Sequence, residues 1–130
     1  MDYIKNLYSG RIGRKNYILG YFVFTLPLLV LYFSLFSDTE TADLFSTLYI
    51  IPYLLVSFYV YALMVRRLHD IGKNGWFIFL MAIPFVGVIY FFILLFKKSQ
   101  PIVNKYGEVP DKNKKFLDDI LNRKPLSNQD

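Results

Sequence analysis

Three stretches of this chain contain no Asp, Glu, Lys, Arg or His: Tyr17–Phe36, Leu44–Val65 and Trp76–Phe96, of 20, 22 and 21 residues. At a rise of about 1.5 Å per residue, roughly 20 helical residues cover a hydrocarbon core about 30 Å thick. A helix of a soluble bundle would need a charged face toward water, and these stretches have none. They therefore read as membrane helices. Lipid offers no partner for backbone N–H and C=O groups, which leaves helices as the way to cross. The expected fold class is all-α: a polytopic membrane protein with three transmembrane helices, the third kinked or re-entrant. The first stretch is too long for the apolar part of a cleaved signal peptide, and no small-x-small pattern follows Phe36.

The chain divides into residues 1–16, an interfacial amphipathic segment and basic lead-in; 17–98, the helical domain with spans at 17–36, 44–65 and 76–96; and 99–130, a polar tail. In the lead-in, Tyr3, Ile4, Leu7 and Tyr8 make one apolar stripe suited to the membrane interface, ended by Ser9-Gly10. Tyr17 and Tyr21 are placed to anchor the first span at headgroup depth. Pro27 is expected to kink that span, with Thr25 satisfying backbone groups that the proline frees. Pro52 should kink the second, where Phe45, Tyr49 and Tyr53 share a stripe. The link Ser37–Asp43 holds three acids and no base, and is short enough to force an antiparallel return. Ile83-Pro84-Phe85-Val86-Gly87 should break or kink the third stretch. In the tail, Phe116–Leu121 reads as one amphipathic turn or two, and Pro125–Asp130 as disordered.

Charge gives orientation. Lys and Arg favour the cytoplasmic side. Lys5, Arg11, Arg14 and Lys15 precede the first span, the acidic link has no base, and Arg66, Arg67 and Lys73 lie between the second and third spans. The N-terminus and the Arg66 segment are thus expected inside and the link outside. The tail carries eight more bases, yet three full crossings would put it outside. A re-entrant third stretch turning at Pro84–Gly87 would gather all fifteen bases on one side. It would also expose unpaired backbone to lipid at several kcal/mol per group, so the sequence favours a single kinked crossing.

The segment from Arg66 to Trp76 holds the only His and the only Trp. Asp70 lies one turn beyond Arg66 and is placed to pair with it at i, i+4 if the helix continues. One carboxylate leaves a surplus of cations on this face. Guanidinium forks suit phosphate, and each base near an anionic leaflet contributes about 1 kcal/mol. Arg11, Arg14, Arg66, Arg67, His69, Asp70, Lys73 and Trp76 are accordingly the candidate ligand-binding residues, a composite basic site for an anionic headgroup or partner. The plainer reading is an orientation signal with snorkelling stems. His69 and Asp70 are sequence neighbours with no nucleophile visibly beside them, so a hydrogen bond that stiffens the loop is favoured over acid–base catalysis. With one His and no Cys, no metal site is expected and no cofactor is implied. The spans hold no ionisable relay, which disfavours a carrier or pump. Basic residues of the tail alternate with acids, which disfavours nucleic acid as a partner.

The order Gly10-Arg11-x-x-Arg14-Lys15-x-Tyr17, Arg66-Arg67-Leu68-His69-Asp70-x-Gly72-x-x-Gly75-Trp76, Ile83-Pro84-x-x-Gly87 and Asn104-x-Tyr106-Gly107-x-x-Pro110 resembles the domain-of-unknown-function 805 family of small bacterial inner-membrane proteins. The resemblance implies a bacterial cytoplasmic-membrane protein of about three helices and implies no activity. Two departures stand out: Asn74 where Ser is common, and Lys98-Ser99-Gln100-Pro101 in place of a Gly/Pro-rich link. The expected function is a non-catalytic interaction or regulatory module that engages anionic lipid or a protein partner through a cytoplasmic basic face, as a homo-oligomer or with another membrane protein. The alternative is a membrane enzyme or transporter component acting on a phosphate-bearing lipid-linked substrate through Arg66, Arg67, His69 and Asp70.

Overall fold

The computed structural model describes residues 7–35, 42–113 and 115–121. Residues 1–6, with Tyr3 and Ile4 of the expected interfacial stripe, most of the acidic link and the tail beyond Leu121 lie outside it. Helix α1 spans Arg14–Leu35 and α2 spans Ala42–Asp70. A 3-10 helix, Gly75–Ala82, leads to α3, Val86–Phe96, and the short α4 is Phe116–Leu121. No strand occurs among the described residues; Asn104 and Gly107 form one isolated bridge.

Both long helices have the length and composition to cross a membrane, and α3 is a shorter apolar helix. Only 11% and 28% of their apolar windows are buried within the chain. Side chains such as Val30, Phe33, Ile51 and Leu55 are more than three-fifths exposed. Such contiguous apolar surface is not what a soluble core helix presents. Helix α1 continues through Pro27, and α2 through Pro52. The Thr25 hydroxyl donates to the Tyr21 carbonyl at 2.7 Å, not to the Val23 carbonyl that Pro27 leaves without its donor. Tyr49 and Tyr53 stack at 5.8 Å, two members of the expected aromatic stripe; the side chain of Phe45 lies outside the described set.

Helix α2 does not stop at Val65. It runs on through Arg66–Asp70 and ends in a Schellman turn: Gly72 takes φ +78°, its N–H bonds the His69 carbonyl at 3.1 Å, and the Lys73 N–H bonds the Leu68 carbonyl at 2.8 Å. Glycine suits that left-handed position because it has no Cβ to clash.

The third apolar stretch reverses. Its first half is the 3-10 helix, its second half is α3, and the two pack against each other, with Phe77 and Tyr90 rings 6.1 Å apart. At the tip the Val86 N–H bonds the Pro84 carbonyl at 2.7 Å across Phe85, which has φ +64°. The Gly87 N–H bonds the Ile83 carbonyl at 2.8 Å, and a Cβ on Gly87 would strike the Met81 carbonyl. Pro84 and Gly87 thus do more than bend a helix: they turn the chain back. The single kinked helix favoured from the sequence is corrected to this folded-back pair, the other form expected.

Candidate functional site

Both ends of the folded-back pair return to the end of α2. A Cβ on Gly75 would lie 3.0 Å from Val65 Cγ1 and 3.5 Å from His69 Nε2, while the Gln100 N–H bonds the Asp70 carbonyl at 3.1 Å. The polar centre of the molecule is built where these ends meet. Asp70 is fully buried, and so is Arg67; Arg11, Arg66 and His69 retain 6%, 3% and 9% exposure.

Asp70 binds two arginines. Arg67 pairs with it through Nη1 three residues back on the same helix, and Arg11 reaches it from before α1 at 3.1 Å. The Ser99 hydroxyl donates to the same carboxylate at 2.5 Å. The expected Arg66–Asp70 pair at i, i+4 is not formed. Arg66 instead donates to the Arg11 carbonyl at 3.3 Å and lies 3.6 Å from Asp119 of α4, whose other oxygen accepts from Asn16 at 3.3 Å.

Two buried cations sharing one carboxylate need further acceptors, and the backbone supplies them. Arg67 Nε donates to the Leu94 carbonyl at 2.9 Å, Nη2 to the Lys97 carbonyl, and Nη1 to the Ile12 carbonyl at 3.4 Å. Arg14 adds a bond to the Phe96 carbonyl at 3.1 Å. The last carbonyls of a helix have no partner within the helix and carry its negative partial charge. Arg67 and Arg14 therefore cap the C-terminus of α3. Arg11 does the same for the chain beyond, donating to the carbonyls of Gln100 at 2.7 Å, Ile102 at 2.8 Å and Gly107 at 3.3 Å.

His69 makes no bond to Asp70. Its Nδ1 lies 3.3 Å from the Gly10 carbonyl, so that nitrogen is the protonated one, and its ring stacks on Tyr106 at 3.8 Å and 5°. Asn104 holds Tyr106 there: its amide donates to the His69 carbonyl at 3.0 Å and to Gln100 Oε1 at 2.9 Å, and its own Oδ1 accepts the Tyr106 N–H at 2.9 Å. The hydrogen bond to a carboxylate expected of His69 is not formed; the ring faces the Gly10 carbonyl instead. Trp76 stands apart. It is 72% exposed and stacks on Phe79 at 5.5 Å, so it does not line the cluster. Lys73 is exposed over the Phe77 ring at 5.2 Å.

Of the eight candidate residues, the structure brings together Arg11, Arg66, Arg67, His69 and Asp70, leaves Arg14 at the rim, and turns Lys73 and Trp76 outward. Ser99, Gln100, Asn104, Tyr106 and Asp119 belong to the same network and were not among the candidates. The Asn104-x-Tyr106-Gly107 turn was the one signal for them. Among the described residues no group of three or more His, Asp or Glu side chains is placed to hold a metal ion. What the arrangement does chemically is to tie the beginning of α1, the end of α2, the end of α3 and the tail into one body.

A family model matches residues 7–108, from the start of the described chain through the Asn104–Gly107 turn. The chain belongs to the DUF805 family. Its description is that of proteins of unknown function, so membership carries no activity with it. The matched region takes in Arg11, the Arg66–Asp70 turn, the reversal at Pro84–Gly87 and the Tyr106 stack; α4 lies beyond it. Comparison with curated proteins and with solved structures gave no match.

Proposed function

We propose that this DUF805 protein is a non-catalytic integral protein of the bacterial cytoplasmic membrane. It crosses twice through α1 and α2, re-enters with the third stretch, and engages anionic lipid headgroups or a protein partner through the cations exposed on its cytoplasmic face. One observation carries the reading: the two ends of the Gly75–Phe96 pair meet at the Asp70 end of α2. With that geometry the tail emerges beside the lead-in and the Arg66 turn. The eleven Lys and Arg side chains among the described residues then fall on one side of the bilayer, as the charge bias of membrane proteins favours.

The face that remains for a partner is made by Arg14, Lys15, Lys73, Lys97, Lys98 and Lys105, all exposed. Arg11, Arg66 and Arg67 support it from beneath. An enzymatic reading would ask Arg66, Arg67, His69 and Asp70 to meet a substrate, whereas all four are buried and each bonds to the chain itself.

Cysteine labelling tests the path on a chain with no native cysteine. With an impermeant maleimide on intact cells, Thr41→Cys should label, whereas Asn74→Cys and Lys112→Cys should label only after lysis. Labelling of Lys112→Cys in intact cells would overturn the re-entrant path. Native mass spectrometry then tests the binding face: retention of phosphatidylglycerol over phosphatidylcholine supports it, and equal retention removes lipid from the reading.

A further inference from the structure

The outward face of α1 carries a groove lined by Arg14, Lys15, Ile18, Leu19 and Phe22, with a volume of about 490 Å³. Its lining follows the helix period: two cations at the first turn, then Ile18 and Leu19 one turn on, and Phe22 at the next. Successive residues rise about 1.5 Å, so from Arg14 to Phe22 the groove descends roughly 12 Å along the axis. Arg14 and Lys15 are exposed, and Leu19 and Phe22 are 44% and 45% exposed, so cations and apolar floor are open to the same occupant.

Arg14 is positioned differently from the other arginines of this end. Where Arg11 and Arg67 spend their forks on buried acceptors, Arg14 gives one nitrogen, Nη1, to the Phe96 carbonyl and stays at the surface. That bond holds the guanidinium at the groove mouth, where Arg14 remains exposed. Lys15 stands beside it. Two acids of this end are engaged elsewhere: Asp70, fully buried, is shared between Arg11 and Arg67, and Asp119 is held by Arg66 and Asn16. The groove mouth is thus a local positive charge above an apolar channel on a helix of membrane-crossing length.

Building on the function proposed above, we propose that this groove is a seat for one anionic phospholipid. Its phosphate and polar head lie against Arg14 and Lys15, and the upper part of an acyl chain lies along Ile18, Leu19 and Phe22. Charge complementarity selects the head: a guanidinium fork meets phosphate oxygens in pairs, and an ammonium adds a point charge. The apolar floor selects a lipid over a free phosphate, because a soluble anion would use the mouth and leave the channel to other chains. Lys73, Lys97 and Lys98 share the electrostatics of this end without lining the groove.

The test is native mass spectrometry of the full chain, released from vesicles containing equal phosphatidylglycerol and phosphatidylcholine of the same acyl length. The wild-type chain is expected to retain phosphatidylglycerol preferentially. Arg14→Gln together with Lys15→Gln should reduce that preference about tenfold or more, as two basic residues near an anionic head imply. Lys15→Gln alone leaves the Arg14–Phe96 bond intact and should give a smaller loss in a fold that is not at risk. Leu19→Trp fills the channel with both cations in place and should also lower retention. Lys73→Gln with Lys98→Gln, cations of the same face outside the groove, should lower the preference less than the Arg14/Lys15 pair does. If the groove variants retain the lipid and the Lys73/Lys98 pair loses it, the face binds lipid and this seat is wrong. If the wild-type chain shows no preference, both this inference and the lipid part of the proposed function fall. If glycerol 1-phosphate competes as well as the lipid does, the acyl assignment falls.

Discussion

The two ends of the α1–α2 hairpin are held together by different physics. Toward Asp70, four segments of chain converge, and the bonds are directional and far apart in sequence: Arg11 to Asp70, Arg67 to Leu94, Arg11 to Gly107. Toward Tyr32 and Tyr49, the two helices touch through aromatic rings 5.9 Å apart and flank an apolar groove of about 280 Å³. The polar end specifies which segment goes where; the apolar end supplies length and fit to lipid. A buried ion pair seldom adds net stability over a well-packed apolar replacement, yet breaking one by removing a single partner is expensive. The cluster around Asp70 is therefore best understood as a device for uniqueness: it ties Arg11 and Arg67 at once to one carboxylate and to carbonyls of distant segments.

That contrast can be broken most directly at Asp70. Asp70→Ala should strip two buried guanidinium groups of their only carboxylate and cost about 3–5 kcal/mol, read as the shift in a detergent unfolding titration. A cost no larger than that of an exposed apolar truncation would refute the division of labour. Arg67→Lys keeps the charge and loses the fork. One ammonium cannot reach the carbonyls of Leu94, Lys97 and Ile12 as well as Asp70, so a loss of about 1.5–3 kcal/mol is expected in the same assay. Gly87→Ala sharpens the account of the reversal, because the new methyl meets the Met81 carbonyl. The expected cost is about 1–3 kcal/mol, with greater protease sensitivity between residues 82 and 87. Tyr106→Leu removes the stacked ring over His69 and should cost about 0.5–1.5 kcal/mol, partly recovered by Tyr106→Phe. At the apolar end, Leu55→Ala, at a residue 69% exposed, should stay within about 0.5 kcal/mol.

Much of the fold was legible because hydropathy writes membrane length directly into the chain. The boundaries of α1 and the extent of α2 beyond Val65 were less so. The last helical residues of α2, Arg66 to Asp70, are charged, and hydropathy sees charge as loop. The reversal at Pro84–Gly87 was visible as a break, but its direction turned on the cost of exposed backbone. The structure lowers that cost locally: the N–H groups of Ile83, Val86 and Gly87 all find carbonyls within the turn. For the candidate site, residue types were readable and burial was not. Nothing in the spacing of Arg11, Arg66 and Arg67 tells that Arg11 and Arg67 find main-chain carbonyls of residues 94–107, or that Arg66 reaches back to the Arg11 carbonyl. Trp76 and Lys73 share a segment with Asp70 but lie beyond the Gly72 turn, which points them away.

The span of the Arg11 bonds has a consequence for how the protein is made. Its acceptors at Gln100, Ile102 and Gly107 lie 89, 91 and 96 residues further along the chain. At about 5–20 residues per second, synthesis separates donor from acceptors by roughly 5–20 s. Throughout that interval Arg11 is without these three carbonyls. The bonds that join the start of α1 to residues 100–107 can therefore form only after α1, α2 and the folded-back pair have all been made.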